Sequence, residues 1–143
     1  VDKIPATTKN LTVPLSHQHC IFCGPQNVFG FKIQFRALGL TGVSAQIIPR
    51  NQFQGYTGIL HGGIIASLLD CAMCHALFNQ GIEGLTAKME IRFLHSIPLN
   101  QPFVLNAQYI NQRTSAYYAE ATIEQGSLTY ARAKGVFFES KTK

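Results

Sequence analysis

From Gly58 to Asp70 the chain reads Gly-Ile-Leu-His-Gly-Gly-Ile-Ile-Ala-Ser-Leu-Leu-Asp, and this string holds the residues best placed to do chemistry. Gly62 and Gly63 open an apolar segment predicted to be helical, where backbone N–H groups are unpaired and no side chain covers them. Such donors, aided by the helix dipole, hold an oxygen that is gaining negative charge, as a carbonyl oxygen does under attack. Asp70 puts a carboxylate inside the same apolar segment, which is costly unless the group is paired or lines a cavity. Helical spacing sets Gly63, Ser67, Asp70 and Cys74 on one face, small and polar where the rest is bulky and apolar. A ligand groove along that face would use the carboxylate as base or nucleophile. Structural roles compete for the same residues. The glycines make a tight helix start, the small stripe allows close packing, His61 serves as a cap or as a hydrogen-bonded buried imidazole, and Asp70 pairs with a lysine or arginine.

The elements around this string are read from hydrophobic period. Phe31, Ile33 and Phe35 alternate with Lys32, Gln34 and Arg36, a half-buried strand. Gly39 and Gly42 flank a turn, and Val43, Ala45 and Ile47 continue the alternation. From His61 to about Gln80 the residues are apolar on nearly every side, which predicts a buried helix ended by Gly81 and Gly84. The period then returns to two. Ala87, Met89, Ile91 and Phe93 face inward, then Phe103, Leu105, Ala107 and Tyr109, then Ala119, Ala121 and Ile123. Gly126-Ser127 turns the chain into a last strand whose inward face, Ala131, Ala133, Gly135 and Phe137, lets a helix lie close. Two strands, one long helix and four antiparallel strands make an α+β architecture.

Bulk properties narrow the function classes. One domain of 143 residues carries 46% hydrophobic and only 13% charged residues, so some apolar surface is expected to be covered by another subunit. Twelve Lys and Arg against seven acids give a formal charge of +5, which suits a phosphorylated ligand. The cations are scattered singly and no recognition helix or basic run is present, so nucleic acid is not an expected partner. No apolar run reaches the ~18 residues of a membrane span, and no charged-then-apolar leader is visible, so the cytoplasm is the expected compartment. Four cysteines form two CxxC pairs, Cys20/Cys23 and Cys71/Cys74. They are too far apart for a zinc ribbon, and the second lies in an apolar helix, so buried free thiols and no metal are expected.

His61-Gly62-Gly63, six residues and then Asp70, preceded by Gln54-Gly55-Tyr56 and Gly58-Ile-Leu, resembles the signature of hotdog acyl-CoA thioesterases, in the branch of phenylacetyl-CoA-type enzymes. Cys20-x-x-Cys23-Gly24 with Asn27 and Gly30-Phe-Lys-Ile-Gln-Phe35 is similar to the N-terminal block of many members. Arg113, the Ser115-Ala116 turn and Ala133-Lys-Gly-Val-Phe137 also fit. The resemblance implies an arm over residues 1–19 and a single hotdog domain over 20–143, an antiparallel sheet wrapped around one long buried helix. It implies hydrolysis of an acyl-CoA to free acid and CoA with no cofactor, in a homodimer or dimer of dimers. By position, the Gly62 N–H polarises the carbonyl, Asp70 of the partner subunit acts as nucleophile or base, His61 orients the site, and Thr86 positions water or the carboxylate. Gly63, Gln54, Ser67 and Cys74 line the substrate, and CoA runs near Arg92 and the Arg113 turn. Two positions depart from the pattern. Gly55 stands where several relatives carry Asn or Gln, with Gln54 one place off, and Cys74 stands where a hydroxyl residue is common. A non-catalytic acyl-CoA-binding protein on the same fold is the rival reading.

Overall fold

His61 accepts a hydrogen bond from the Gly63 N–H and starts a helix, α1 (Gly62–Phe78), that holds no proline and is rich in Leu, Ile and Ala. It ends where Gly81 takes φ 78°, a left-handed conformation that favours glycine. The computed structural model describes residues 9–140; residues 1–8 of the expected arm, and residues 141–143, lie outside the described residues. Around α1 run β1 (Arg36–Leu38), β2 (Gly42–Ile47), β3 (Gly84–Phe93), β4 (Phe103–Arg113), β5 (Ala116–Gln125) and β6 (Leu128–Glu139). They form one antiparallel sheet in the order β1-β2-β4-β5-β6-β3. The expected α+β order, two strands, a helix and four strands, is what the chain adopts.

The core lies between α1 and one face of the sheet. Leu68, Leu69, Met73 and Leu77 from the helix meet Val43, Phe103, Leu105, Ile123 and Phe137 from the strands, all essentially inaccessible to solvent. Ala131, Ala133 and Gly135 of β6 are buried too, and the small face does let the helix approach. A Cβ added to Gly135 would stand 2.9 Å from the Met73 sulfur. The remainder of the expected arm, residues 9–19, lies on this body. The Leu11 N–H bonds the Phe35 carbonyl at 2.8 Å, and Leu11 and Val13 pack on the core.

Three local expectations need correction. Residues 31–35 alternate in burial as a strand would, with Ile33 and Phe35 buried, but they are not in the sheet. Lys32 has φ 52°, and the N–H groups of Phe31 and Ile33 bond the Ile21 and Phe22 carbonyls at 2.9 Å instead of a strand neighbour. The strand begins only at Arg36. Second, Ala87 is not an inward residue. The β3–β6 register shifts between Thr86 and Lys88, leaving Ala87 exposed in a bulge, and Thr86 opposes the buried Phe137. The bulge thus sets Thr86, Met89 and Ile91 on the helix side. Third, α1 is not enclosed on every side, because Gly62 and Gly63 are exposed and Ser67, Asp70 and Cys74 only partly buried. β3 is an edge strand of the described sheet, and Leu85 and Phe93 on it are each more than half exposed.

Candidate active site

The open stripe of α1 carries the chemistry. Asp70 lies at its middle, and the Thr86 hydroxyl, brought round by the bulge, donates to Asp70 Oδ1 at 2.6 Å. Among the described residues this is the one hydrogen bond the Asp70 carboxylate makes, and no lysine or arginine pairs with it. The structural role of a buried ion pair is therefore not filled, and a second carboxylate oxygen is left for another partner. One turn on, burial foremost and then the Asp70 charge push the Cys74 thiol up to about 12. A neutral thiol thus stands beside the acid, with the Thr86 hydroxyl also within its reach. Ser67, one turn earlier, donates to the Gly63 carbonyl at 2.9 Å.

At the helix start, the His61 Nδ1 accepts from the Gly63 N–H at 2.8 Å, so His61 is the cap. Gly62 is the first helical residue, and among the described residues its N–H is bonded to nothing. The Phe93 ring stands beside it, 3.8 Å from where a Gly62 Cβ would be. Gly55 packs against the His61 ring, a Cβ there lying 3.3 Å from His61 Cδ2. Gln54 is turned into its own loop, its Oε1 accepting from the Gly58 N–H at 3.2 Å. The sequence places Phe93 only as an inward strand residue and Gly55 only as a departure from the family pattern, because neither has a reactive group to mark its contact with the helix start.

The two cations expected to meet CoA are not together. Arg92 pairs with Arg132 at one end of β3, while Arg113 ends β4 in the row that runs through Ala116 and Phe138 to Leu85 at the other end. Seven strand residues separate these rows, about 23 Å. Arg113 lies over the Tyr118 ring at 5.7 Å. A larger groove, about 1090 Å³, opens elsewhere, lined by Lys32, Arg36 and Arg50 with Phe29 and Phe31. It reaches Phe53, whose carbonyl accepts the His61 N–H at 2.9 Å, so three cations stand in a groove leading to the helix start.

Behind the stripe, Cys23, Cys71 and His75 converge in the core. The Cys71–Cys23 hydrogen bond lowers Cys23 and raises Cys71, burial adding to the rise at Cys71. The sequence reading took the cysteines pair by pair and missed this meeting of one from each pair.

Comparison with known proteins follows the same lines. The sequence pattern of the thioesterase superfamily matches residues 57–131, just over half of the chain. No curated protein matches the chain. Among solved structures, a thioesterase superfamily protein superposes with a TM-score of 0.81 at 24% identity over 85% of this chain, which spans only 61% of that protein. A hypothetical thioesterase from Streptococcus pneumoniae with coenzyme A is similar at 18% identity, TM-score 0.70, over 76% of this chain and 88% of its own. The E. coli PaaI protein of the phenylacetic acid degradation operon is similar at 21% identity, TM-score 0.69, over 75% and 82%. The sheet and single helix are the hotdog fold of these neighbours.

Proposed function

This chain belongs to the thioesterase superfamily, and we propose that it is an acyl-CoA thioesterase, hydrolysing the thioester to a free acid and CoA. The observation that carries this reading is Asp70, half-buried on the open stripe, steadied by the Thr86 hydroxyl at 2.6 Å and, among the described residues, neutralised by no cation. A carboxylate kept out of ion pairs and held by one hydroxyl is arranged for use. In this reading the Gly62 N–H binds the thioester carbonyl oxygen as it gains charge. Asp70 either attacks the carbonyl carbon or takes a proton from the attacking water. When Asp70 acts as base, the C–S bond breaks and the abstracted proton goes to the departing CoA thiolate. When Asp70 attacks, the C–S bond breaks to leave an acyl–Asp70 anhydride, which water hydrolyses to the free acid, and the proton released goes to the thiolate.

One chain does not suffice for this. Eight residues of helix separate Gly62 from Asp70, about 12 Å along the axis, too far for both to act on one carbonyl. Two chains with their helices side by side and antiparallel bring the donor of one to the acid of the other. The reading therefore includes a homodimer, to which the free edge of β3 and its exposed Leu85 and Phe93 are suited. The Streptococcus pneumoniae neighbour, solved with coenzyme A, has also been solved with a threonine and an aspartate separately replaced by alanine. Those two positions are separated as Thr86 and Asp70 are here, by 16 residues.

Release of free CoA from short, medium and aryl acyl-CoAs, by wild type and by Asp70→Asn, tests the reading. Turnover of at least one thioester is expected, with a loss of roughly 10²-fold or more in the variant. Binding of the panel without thiol release would sink it and leave an acyl-CoA-binding protein.

A further inference from the structure

The loop at residues 20–24 is folded as tightly as the backbone allows. The Gly24 N–H bonds the Cys20 carbonyl at 2.9 Å, and the Phe22 N–H points at the Cys20 sulfur at 3.4 Å. A Cβ on Gly24 would lie 2.4 Å from the Cys20 nitrogen, so only glycine closes this turn. The turn delivers Cys23 into the core, 2% exposed, against α1. There Cys71 and His75, four residues apart on one helical face, present a sulfur and a ring nitrogen to it. The three donor atoms lie within 4.8 Å of one another. The His75 ring is stacked on Phe35 at 4.3 Å and edge-on to Phe78 at 5.0 Å, which fixes its direction. Its Nε2 is buried and, among the described residues, has no hydrogen-bond partner. A buried polar atom without a partner is rare and calls for a cause.

The geometry points to a zinc site formed by Cys23, Cys71 and His75, with Cys20 as the fourth ligand. Two or three thiolates and an imidazole are the donor set that structural zinc takes, in a tetrahedron whose edges are about 3.7 Å. The observed spread needs to close by about an ångström to meet that edge. Cys20 lies within hydrogen-bonding reach of Cys23 and is half-buried, which places it next to the three donors. A disulfide between Cys23 and Cys71 would use two sulfurs and leave the His75 ring without a role beside them, whereas a cation takes a donor from all three residues. The metal would tie the irregular N-terminal loop to α1 behind Asp70, a structural role independent of the proposed hydrolysis.

Metal content of the whole protein tests this directly. Wild type, purified in reducing buffer, loaded with zinc and passed into zinc-free buffer, is expected to keep roughly one zinc per chain. Replacement by cobalt(II) should give thiolate-to-cobalt charge-transfer absorption and the intense bands of a tetrahedral ion. Cys71→Ser and His75→Ala should each lose most of the metal, while Cys74→Ser, on the neighbouring stripe, keeps it. Because a buried substitution can prevent folding, the wild-type measurements stand by themselves. Failure to retain zinc, a cobalt spectrum without thiolate bands, or a Cys23–Cys71 disulfide that persists in reductant would each overturn the proposal. So would equal zinc retention in folded Cys71→Ser and His75→Ala.

Discussion

Thr86 offers its hydroxyl to Asp70 at 2.6 Å, and substitution separates that donor from the bulk of the side chain. Thr86→Val keeps the shape and removes the donor, while Thr86→Ser keeps the donor. If the hydroxyl positions Asp70, valine should lower kcat by ~10–100-fold with KM little changed, and serine should restore most of it. Equal losses in both variants would mean that packing, not the hydrogen bond, matters. Steady-state kinetics beside a melting curve distinguishes these outcomes. At this scale the sequence was informative where function needs a rare residue in an unlikely place. An aspartate in an apolar helix and paired glycines at its start stand out against composition. Phe93 beside Gly62 and His75 beside Cys23 carry no such mark, because their importance lies in contacts between segments distant in the chain.

Close approach of α1 to β6 depends on Gly135, where a methyl group would lie 2.6 Å from Phe137 Cε2 and 2.9 Å from the Met73 sulfur. Phe137 is fully buried and has nowhere to swing. Gly135→Ala is expected to cost about 1–3 kcal/mol and lower Tm by several degrees in thermal unfolding. Gly62→Ala is its control. There the nearest atom is 3.8 Å away, and alanine is the better helix former, so no loss is expected. A Gly135→Ala protein as stable as wild type would mean the helix is not held at that distance. Periodicity located this contact, since Ala131, Ala133, Gly135 and Phe137 alternate without interruption. The same rule failed at Ala87 and at residues 31–35. A bulge adds one residue without changing composition, and residues 31–35 satisfy their backbone from the Ile21–Phe22 turn, which no local pattern reports.

The whole molecule is defined by what a single chain leaves open: an acid and, about 12 Å away along the same helix, an N–H unpaired among the described residues, and an edge strand with exposed apolar side chains. If each site takes Gly62 from one subunit and Asp70 from the other, two inactive variants will complement. Asp70→Asn removes the acid. The donor can be removed without disturbing the helix, because Gly62 is its first residue, where proline is favoured and no N–H is needed for the fold. His61, with φ −61° and ψ 134°, already has the extended conformation that a following proline requires. Gly62→Pro should therefore fold and dimerise, with kcat lowered roughly 10²–10³-fold as for loss of an oxyanion donor. In a heterodimer isolated through two different tags, one site pairs the intact Gly62 with the intact Asp70 and the other has neither. Its activity should be about half that of the wild-type dimer, from parents that are each nearly silent. A silent heterodimer would place donor and acid in the same chain, and full activity in Gly62→Pro alone would remove this N–H from the mechanism. Subunit arrangement is thereby read from turnover, with acid and donor identified in the same assay.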